Sequence, residues 1–212
     1  MKIDGVIFDL DGTLLNSREL RIDAWFNAFA DFGIKVSREE IGPLLGLPGV
    51  DLAGLYSSRA FEIEEAEERY FRSHISELKF YPDVEATIDA IKKSGIKTSI
   101  VTSSRRSFVD IMGIHFSPVV TIDDVTVGKP DPEGYMKAIG IMGLSDPHRV
   151  MVVGDAISDM RPANDVGAIS VFIRHGSDTE CTICNYYIDE VSECLRVISE
   201  IEKVGNSKGD KP

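Results

Sequence analysis

The stretch that decides the fold is "VIFDLDGTLLNS", residues 6–17. Its apolar run ends at Asp9, and a second carboxylate, Asp11, follows two residues later, ahead of Gly12 and Thr13. Asp and Gly are ordinary turn residues, so a strand that ends in a polar turn explains one acid and the glycine. It does not explain the pair of acids. The pattern therefore predicts a buried strand with functional carboxylates at its end.

Short apolar runs alternate with helical patterns further along the chain. The runs "KTSIVTSS", "PVVTI", "RVMVVGD" and "AISVFI" predict strands that are covered on both faces. Helices are predicted over 83–93, 105–112, 133–142, 158–166 and 192–203, and a glycine follows each of the first four. This alternation indicates an α/β fold, with a doubly wound, mainly parallel, Rossmann-like sheet.

Residues 17–80 interrupt the alternation and show no clear strand. Trp25, Phe26, Phe29 and Phe32 recur at helical spacing, and the acidic "EIEEAEERYFRSHI" begins at Glu62. We expect an all-α subdomain over 17–80, inserted into an α/β core made of 1–16 and 81–204. Residues 205–212 read as a flexible tail.

Composition excludes several classes of function. The chain has 212 residues, 43% of them hydrophobic, a net charge of −12 and a pI of about 4.8. This acidic balance argues against a nucleic-acid partner. No apolar run approaches the ~20 residues that a membrane span needs. Three cysteines do not make a disulfide framework, so we expect a cytoplasmic protein with reduced thiols.

Polar side chains gather where the predicted strands end. In open α/β sheets, ligands bind beyond the carboxyl ends of the strands, so these side chains should share one rim. Carboxylate oxygens suit Mg²⁺, whereas hydroxyl groups, an ammonium group and a helix start near Arg105 suit a phosphoryl group. The residues at the strand ends are Asp9, Asp11, Thr102, Ser103, Ser104, Lys129, Asp155 and Asp159.

These pieces resemble the four motifs of the haloacid dehalogenase superfamily. "DLDGT" is similar to the first motif, "IVTSS" to the second, "GKPDP" to the third and "VVGDAISDM" to the fourth, in the family's order. The helical insertion resembles the cap of the phosphoglycolate phosphatase and β-phosphoglucomutase branch. Ala156 stands where many members have Ser, and Asp83 where many have Gly.

The resemblance implies a role for each motif residue. Asp9 would attack phosphorus and form an aspartyl phosphate, and Asp11 would protonate the leaving oxygen and later deprotonate water. Thr102 and the Ser103 N–H would hold phosphoryl oxygens, while Lys129 would neutralise charge. Mg²⁺ would bind Asp9, the Asp11 backbone carbonyl and Asp155, with Asp159 a ligand or a close neighbour.

The implied activity is a Mg²⁺-dependent phosphatase that hydrolyses a small phosphomonoester, such as phosphoglycolate or a sugar phosphate. Its partner would be a small phosphorylated metabolite, and the protein a monomer or homodimer. A phosphomutase of the β-phosphoglucomutase type needs the same residues and remains the nearest alternative. A phospho-acceptor signalling module shares the chemistry, but lacks such an insertion. Dehalogenation would leave Asp11 without a leaving oxygen to protonate.

Three other features are less specific. Cys181 and Cys184 form a C-x-x-C that could suggest zinc, but a convincing site needs four ligands at suitable spacing. Arg105 and Arg106 are expected to be solvated at a helix start, with a substrate carboxylate as the alternative partner. The turn at Leu45, Gly46 and Leu47 lies where caps of this branch often face substrate, so Gly46 joins the candidate substrate-binding residues.

Overall fold

A six-stranded sheet forms the centre of the molecule, whose computed structural model describes residues 1–114 and 118–207. The spatial order is β3-β2-β1-β4-β5-β6, and every neighbouring pair is parallel. This order confirms the doubly wound α/β sheet. The strands are β1 (Gly5–Phe8), β2 (Lys97–Val101), β3 (Val119–Val120), β4 (Val150–Gly154), β5 (Ile169–Ile173) and β6 (Tyr186–Ile188).

Helices cover both faces of the sheet, which is why its strands are apolar throughout. Val6 and Phe8 of β1 face one layer, and Ile7 between them faces the other. The first layer contains α5 (Val84–Lys93), α6 (Arg106–Ile111) and α9 (Cys194–Ser207). The second contains α7 (Glu133–Ile141) and α8 (Ile157–Asp165). Burial on both faces leaves the strand ends as the place for polar chemistry.

Most element boundaries agree with the predictions to within one or two residues. The strand β6 was missed, because it has three residues and only Ile188 is buried. The last helix runs to Ser207, beyond the predicted end at 203 and into the predicted tail. Residues 208–212 of that tail lie outside the described residues.

Residues 17–80, called the cap below, are helical as predicted. They form α1 (Arg18–Asp31), α2 (Arg38–Ile41), α3 (Gly49–Gly54) and α4 (Ala60–Ser73) around an apolar cluster of their own. The two chain crossings to the sheet run side by side, because Asn16 donates its N–H to the Lys79 carbonyl and Leu15 pairs with Phe80. The division into subdomains at 16/17 and 80/81 stays a prediction.

Candidate active site

A cluster of three carboxylates lies at the carboxyl ends of the two central strands. Asp9 follows β1, Asp155 follows β4 and Asp159 lies in the first turn of α8. The three acids are close together because β1 and β4 are paired neighbours in the sheet. One oxygen of each lies within 4.8 Å of the others, and Asp9 and Asp159 are buried. Asp9 is only 6% exposed, so the shared rim of the sheet that we expected is covered at this residue and not open to solvent.

The carboxylates repel one another and are poorly solvated. Burial raises the pKa of Asp9 well above its usual range, against the opposing effect of Lys129, and Asp159 and Asp155 add to the rise. Burial, followed by the charge on Asp159, raises the pKa of Asp155 to about 7. A bound cation would relieve both effects. A compact set of hard oxygen donors fits a divalent cation of the Mg²⁺ type, so the residues present can hold this metal.

Lys129 is the cation that the chain itself places in this cluster. Its Nζ donates hydrogen bonds to Oδ1 of Asp9 at 2.5 Å and to Oδ1 of Asp159 at 2.6 Å. Burial alone would lower the pKa of Lys129, but Asp159 and Asp9 raise it well above its usual value. Tyr135 also donates to Oδ1 of Asp159, over 2.9 Å. The lysine is therefore held as an ammonium ion between the two carboxylates.

Asp11 lies beside the cluster with a separate set of partners. Its Oδ1 accepts from Ser17 Oγ at 2.9 Å and from Arg21 Nε at 3.3 Å, and its Oδ2 accepts from Ser104 Oγ at 2.6 Å. Gly12, which follows it, has φ +78°, and a Cβ there would lie 2.4 Å from Asp155 Oδ2. The loop "DLDGT" therefore needs glycine at position 12, because any side chain there would collide with the Asp155 carboxylate.

Sequence reasoning missed three residues near Asp11, namely Ser17, Arg21 and Glu67. It selected Ser104 but did not predict its contact with Asp11. Arg21 is a cap residue that donates to Asp11, to Glu67 Oε1 at 3.1 Å and to Ser104 Oγ at 2.9 Å. An arginine on an acid-rich helical insertion gives no signal by itself, because surface ion pairs produce the same pattern. The hint that the sequence offers is the position of Glu67 on the apolar face of a helix, at helical spacing from Ile63 and Phe71, which are buried with it in the structure.

The hydroxyl loop after β2 faces the same space. Thr102 is buried, and its Oγ1 accepts from the Ser104 N–H at 3.0 Å. Ser103 donates from Oγ to the carbonyl of Gly46 in the cap at 3.4 Å. The predicted anion site at the start of α6 is less suitable than expected, because that helix has six residues and the Arg106 N–H already donates to Asp123 Oδ2 at 2.7 Å.

A cavity of about 340 Å³ lies between the sheet and the cap. Eight of the nine candidate residues, the strand-end set together with Gly46, line it, and the ninth, Lys129, binds Asp9 directly. The eight are Asp9, Asp11, Gly46, Thr102, Ser103, Ser104, Asp155 and Asp159. The structure thus brings together every residue that the sequence selected, while their chemical roles stay predictions.

The cap turn at Leu45, Gly46 and Leu47 lines the cavity and also touches the sheet domain. Gly46 has φ +94°, and a Cβ there would meet Ser158 Oγ at 2.6 Å and the Ala156 Cβ at 3.1 Å. The turn therefore packs against the start of α8 at Gly46, where the neighbouring atoms leave no room for a side chain. Contact of this turn with substrate stays a prediction.

The two arginines after the hydroxyl loop have protein partners. Arg105 reaches across the cavity mouth to Glu68 at 3.1 Å and Glu64 at 3.4 Å, both on α4 of the cap. Arg106 donates to Asp124 and to the Val119 carbonyl, and it does not line the cavity. Both side chains keep a large exposed fraction, 46% for Arg105 and 38% for Arg106, so these helix-start arginines are solvated as expected and also form surface ion pairs. Contact of either arginine with a substrate carboxylate stays a prediction.

The cysteines lie away from the carboxylates. Cys181 and Cys194 are buried, Cys184 is half-buried, and all three are free thiols. Among residues 1–114 and 118–207, the one group of three or more potential metal-binding side chains with suitable spacing is Asp9, Asp155 and Asp159. No helix in the same ranges is both long and apolar enough to cross a bilayer.

The fold and the site define a hydrolase of the α/β class with a helical cap over its carboxylate cluster. Residues 6–173 match the family of haloacid dehalogenase-like hydrolases, which is most of the chain. The protein belongs to this family, and it is an enzyme. Recognition from the four strand-end motifs is therefore confirmed.

Relatives agree on the class and differ in their named activity. The chain is 31% identical to the pyrophosphatase PpaX of Bacillus cereus over 96% of its own length and 100% of the relative's. Among solved structures, a hydrolase from Pseudomonas syringae has a TM-score of 0.83 at 22% identity, covering 93% of this chain and 99% of that one. CbbY from Rhodobacter sphaeroides, solved in complex with phosphate, has a TM-score of 0.75 at 22% identity, with coverages of 90% and 96%.

Proposed function

We propose that this protein is a Mg²⁺-dependent phosphatase that hydrolyses a small phosphomonoester through an aspartyl phosphate on Asp9. The observation that carries the proposal is the Asp9 carboxylate itself, which Lys129 fixes within the carboxylate cluster and which lines the cavity between sheet and cap. A second acid, Asp11, stands next to it with an independent set of hydrogen bonds. Two acids with separate partners can take the separate roles that the reaction requires.

The residues act in two steps. In the first, a carboxylate oxygen of Asp9 forms a bond to phosphorus while the bond to the leaving oxygen breaks, and a protonated Asp11 gives its proton to that oxygen. In the second, Asp11 removes a proton from water, the water oxygen bonds to phosphorus, and the bond to Asp9 breaks. The Asp9 carboxylate and the protonated Asp11 are then restored, and phosphate leaves.

The remaining residues position charge. Lys129 holds Oδ1 of Asp9 and stays cationic next to the transferring group. Thr102 and Ser103 line the same cavity, and the Thr102 hydroxyl and the Ser103 N–H would receive phosphoryl oxygens. Asp9, the Asp11 backbone carbonyl and Asp155, with Asp159 beside them, would hold Mg²⁺. When bound, this ion supplies positive charge that lets the phosphate dianion approach the carboxylates.

The cavity favours an organic leaving group of modest size. Its volume is at the small end of the range for ligand sites, about 300–1,000 Å³. The wall supplied by the cap has an apolar part, with Trp25, Leu45, Leu47, Val50 and Leu52, and a charged part made by arginines and glutamates of α1 and α4. A sugar phosphate or a short phosphorylated acid fits this combination of carboxylates on the sheet side and mixed apolar and charged side chains on the cap side.

Inorganic pyrophosphate is a second candidate substrate. The relatives named pyrophosphatase align over nearly the whole chain, and four arginines line the cavity: Arg18, Arg21, Arg72 and Arg105. A second phosphate could occupy the place of the organic group. A phosphomutase reaction would use the same residues and differ only in returning the phosphoryl group to a sugar phosphate.

One substrate panel tests these proposals. We would measure kcat/KM with Mg²⁺ for phosphoglycolate, several sugar phosphates, inorganic pyrophosphate and an aryl phosphate, on wild type and Asp9→Asn. We expect phosphate release from phosphomonoesters in the wild type and none in the variant. A pyrophosphate preference would select the second candidate. Conversion of a sugar phosphate primed with a bisphosphate, without net phosphate release, would select the mutase.

A further inference from the structure

We propose that Arg21 and Glu67, both on cap helices, form a positioning pair that holds the Asp11 carboxyl group for proton transfer when the cap is closed over the site. The inference rests on the proposed function, because it takes Asp11 as the acid and base. It adds two residues to the machinery, neither of which touches phosphorus. Arg21 would act through Asp11, and Glu67 would act through Arg21.

The Arg21 guanidinium joins four elements of the structure. Its Nε donates to Asp11 Oδ1 at 3.3 Å, its Nη1 to Glu67 Oε1 at 3.1 Å and its Nη2 to Ser104 Oγ at 2.9 Å. The planar group lies on the ring of Phe71, with 3.5 Å from its central carbon to the ring centroid. All three nitrogens of the guanidinium group therefore donate a hydrogen bond, and these contacts fix its orientation.

Stability alone does not account for this buried pair. The side chain of Arg21 is 17% exposed and that of Glu67 only 3%. Removing two charges from water has a large desolvation penalty, and apolar residues of similar volume often serve stability equally well or better. Burial raises the pKa of Glu67 to about 7, although Arg21 opposes that rise. A buried charged pair of this kind, with a perturbed pKa and in contact with the Asp11 carboxyl group, is more readily explained by function.

The contacts assign the two Asp11 oxygens to different tasks. Arg21 has no acceptor atom, so it binds Oδ1 whether or not Oδ2 carries a proton. Ser104 accepts from Arg21 and donates to Oδ2, and its hydroxyl can rotate when Oδ2 is protonated. The transferable proton therefore belongs on Oδ2. During leaving-group departure, the bond from Oδ2 to this proton breaks and a bond from the leaving oxygen to the same proton forms.

The pair also connects proton transfer to the position of the cap. Arg21 lies on α1 and Glu67 on α4, while Asp11 and Ser104 belong to loops of the sheet domain. Movement of the cap away from the sheet would keep the contact between Arg21 and Glu67, because both helices move together. It would break the contacts to Asp11 and Ser104. Asp11 would thus have its full set of partners only while the cap is closed over the sheet domain.

The dependence of rate on the leaving group distinguishes a positioning role from a merely structural role, which would affect all substrates alike. An alkyl phosphate needs a proton on its leaving oxygen, whereas an aryl phosphate with an acidic phenol does not. We would measure the rate of the phosphorylation step in single turnovers with an alkyl phosphate, and from the burst of phenol with the aryl phosphate. The variants are Arg21→Met, Arg21→Lys, Glu67→Met and Glu67→Gln. Arg59→Met is the control, because Arg59 is exposed on the cap and pairs only with Glu62 and the Phe32 ring among described contacts.

We expect Arg21→Met to slow phosphorylation by the alkyl phosphate about 100-fold and by the aryl phosphate less than about threefold, since general acid catalysis contributes ~10²–10⁴. Glu67→Met should follow the same pattern, and Glu67→Gln should recover most of the loss, because its amide oxygen can still accept from Arg21. If Arg21→Met does not fold, Arg21→Lys carries the same test, since an ammonium cannot hold three partners in one plane.

An equal loss on both substrates, or no loss on either, would overturn the positioning role. Asp11→Asn separates this result from failure of the proposed function. If Asp11→Asn shows the leaving-group dependence and the Arg21 variants do not, only the positioning pair is wrong. If Asp11→Asn itself shows no such dependence, Asp11 is not the acid and both proposals fail together.

Discussion

The ammonium group of Lys129 donates to Oδ1 of Asp9 over 2.5 Å, and both side chains are nearly withdrawn from water. This contact joins the third strand-end motif to the first across 120 positions of sequence. It fixes the orientation of the carboxylate that we propose as the nucleophile. It also supplies a positive charge where phosphate and several carboxylates must meet.

Replacing this lysine should therefore affect both folding and activity. In Lys129→Met, Asp9 and Asp159 lose their buried cation, and breaking a buried ion pair typically destabilises a protein by about 3–5 kcal/mol. We also expect kcat to fall by about 10²–10³-fold, as with other removed charge-stabilising donors. Denaturant unfolding and steady-state kinetics measure the two effects. Lys137→Met, at an exposed position on α7, is the matched control, and retention of near-wild-type kcat in Lys129→Met would contradict the role.

Activity should require Mg²⁺, and Ca²⁺ should inhibit. Ca²⁺ is larger and takes more ligands, so it should bind the same carboxylates in an unproductive arrangement. Binding to the folded state should also raise the melting temperature, by linkage. We expect this rise in wild type and little of it in Asp155→Asn. Full activity after exhaustive chelation, or an equal thermal shift in the variant, would exclude the carboxylate cluster as the metal site.

A methyl group at position 46 should prevent the cap turn from docking. In Gly46→Ala the new Cβ would lie 2.6 Å from Ser158 Oγ, on a backbone with φ +94° that alanine rarely adopts. We expect kcat/KM to fall by about tenfold or more, because a turn that cannot dock would move Leu45 and Leu47 in the cavity wall, and a lost apolar contact is worth ~1–3 kcal/mol. Gly54→Ala is the control, since nothing lies within 4 Å of that Cβ. Equal kinetics for the two variants would show that the turn does not dock during turnover.

The buried Glu67 should make stability depend on pH. Its folded pKa of about 7 exceeds the usual value of 4.5, so the protonated form is favoured by folding. Arg21 faces it, with Glu68 and Asp11 as the nearby acids. The contribution is complete below pH 4.5 and is lost as pH rises through 7. Relative to Glu67→Gln, wild type should lose stability over this interval by up to about 1.4 kcal/mol per pH unit. Parallel stability curves for the two proteins would contradict the buried state of Glu67.

The sequence predicted the parts of the site that the sheet itself supplies. Asp9, Thr102 and Asp155 each follow an apolar strand, and parallel strands bring their carboxyl ends to one edge. No knowledge of side-chain packing was needed for that step. The same reasoning selected Lys129, although its depth between Asp9 and Asp159 became visible only in three dimensions.

Contacts between the cap and the sheet domain could not be predicted in this way. Arg21 and Glu67 are 46 residues apart on different helices, and Ser104 is 93 residues from Asp11. Their meeting depends on how the cap packs, and helical periodicity gives no information about that. The strand β6 was missed for a related reason, because its pairing with β5 rather than its own apolar pattern makes it a strand.

Covalent trapping on Asp9 tests the central claim most directly. Wild type would be mixed with an aryl phosphate and Mg²⁺, quenched in acid within the burst phase, and reduced with borohydride, which converts an aspartyl phosphate to homoserine. Peptide mass spectrometry would then locate the modified residue. The account predicts homoserine at position 9, formed and lost at rates consistent with turnover, and absent from Asp9→Asn. Turnover without any modified Asp9, or with the modification at Asp11 or another acid, would contradict it.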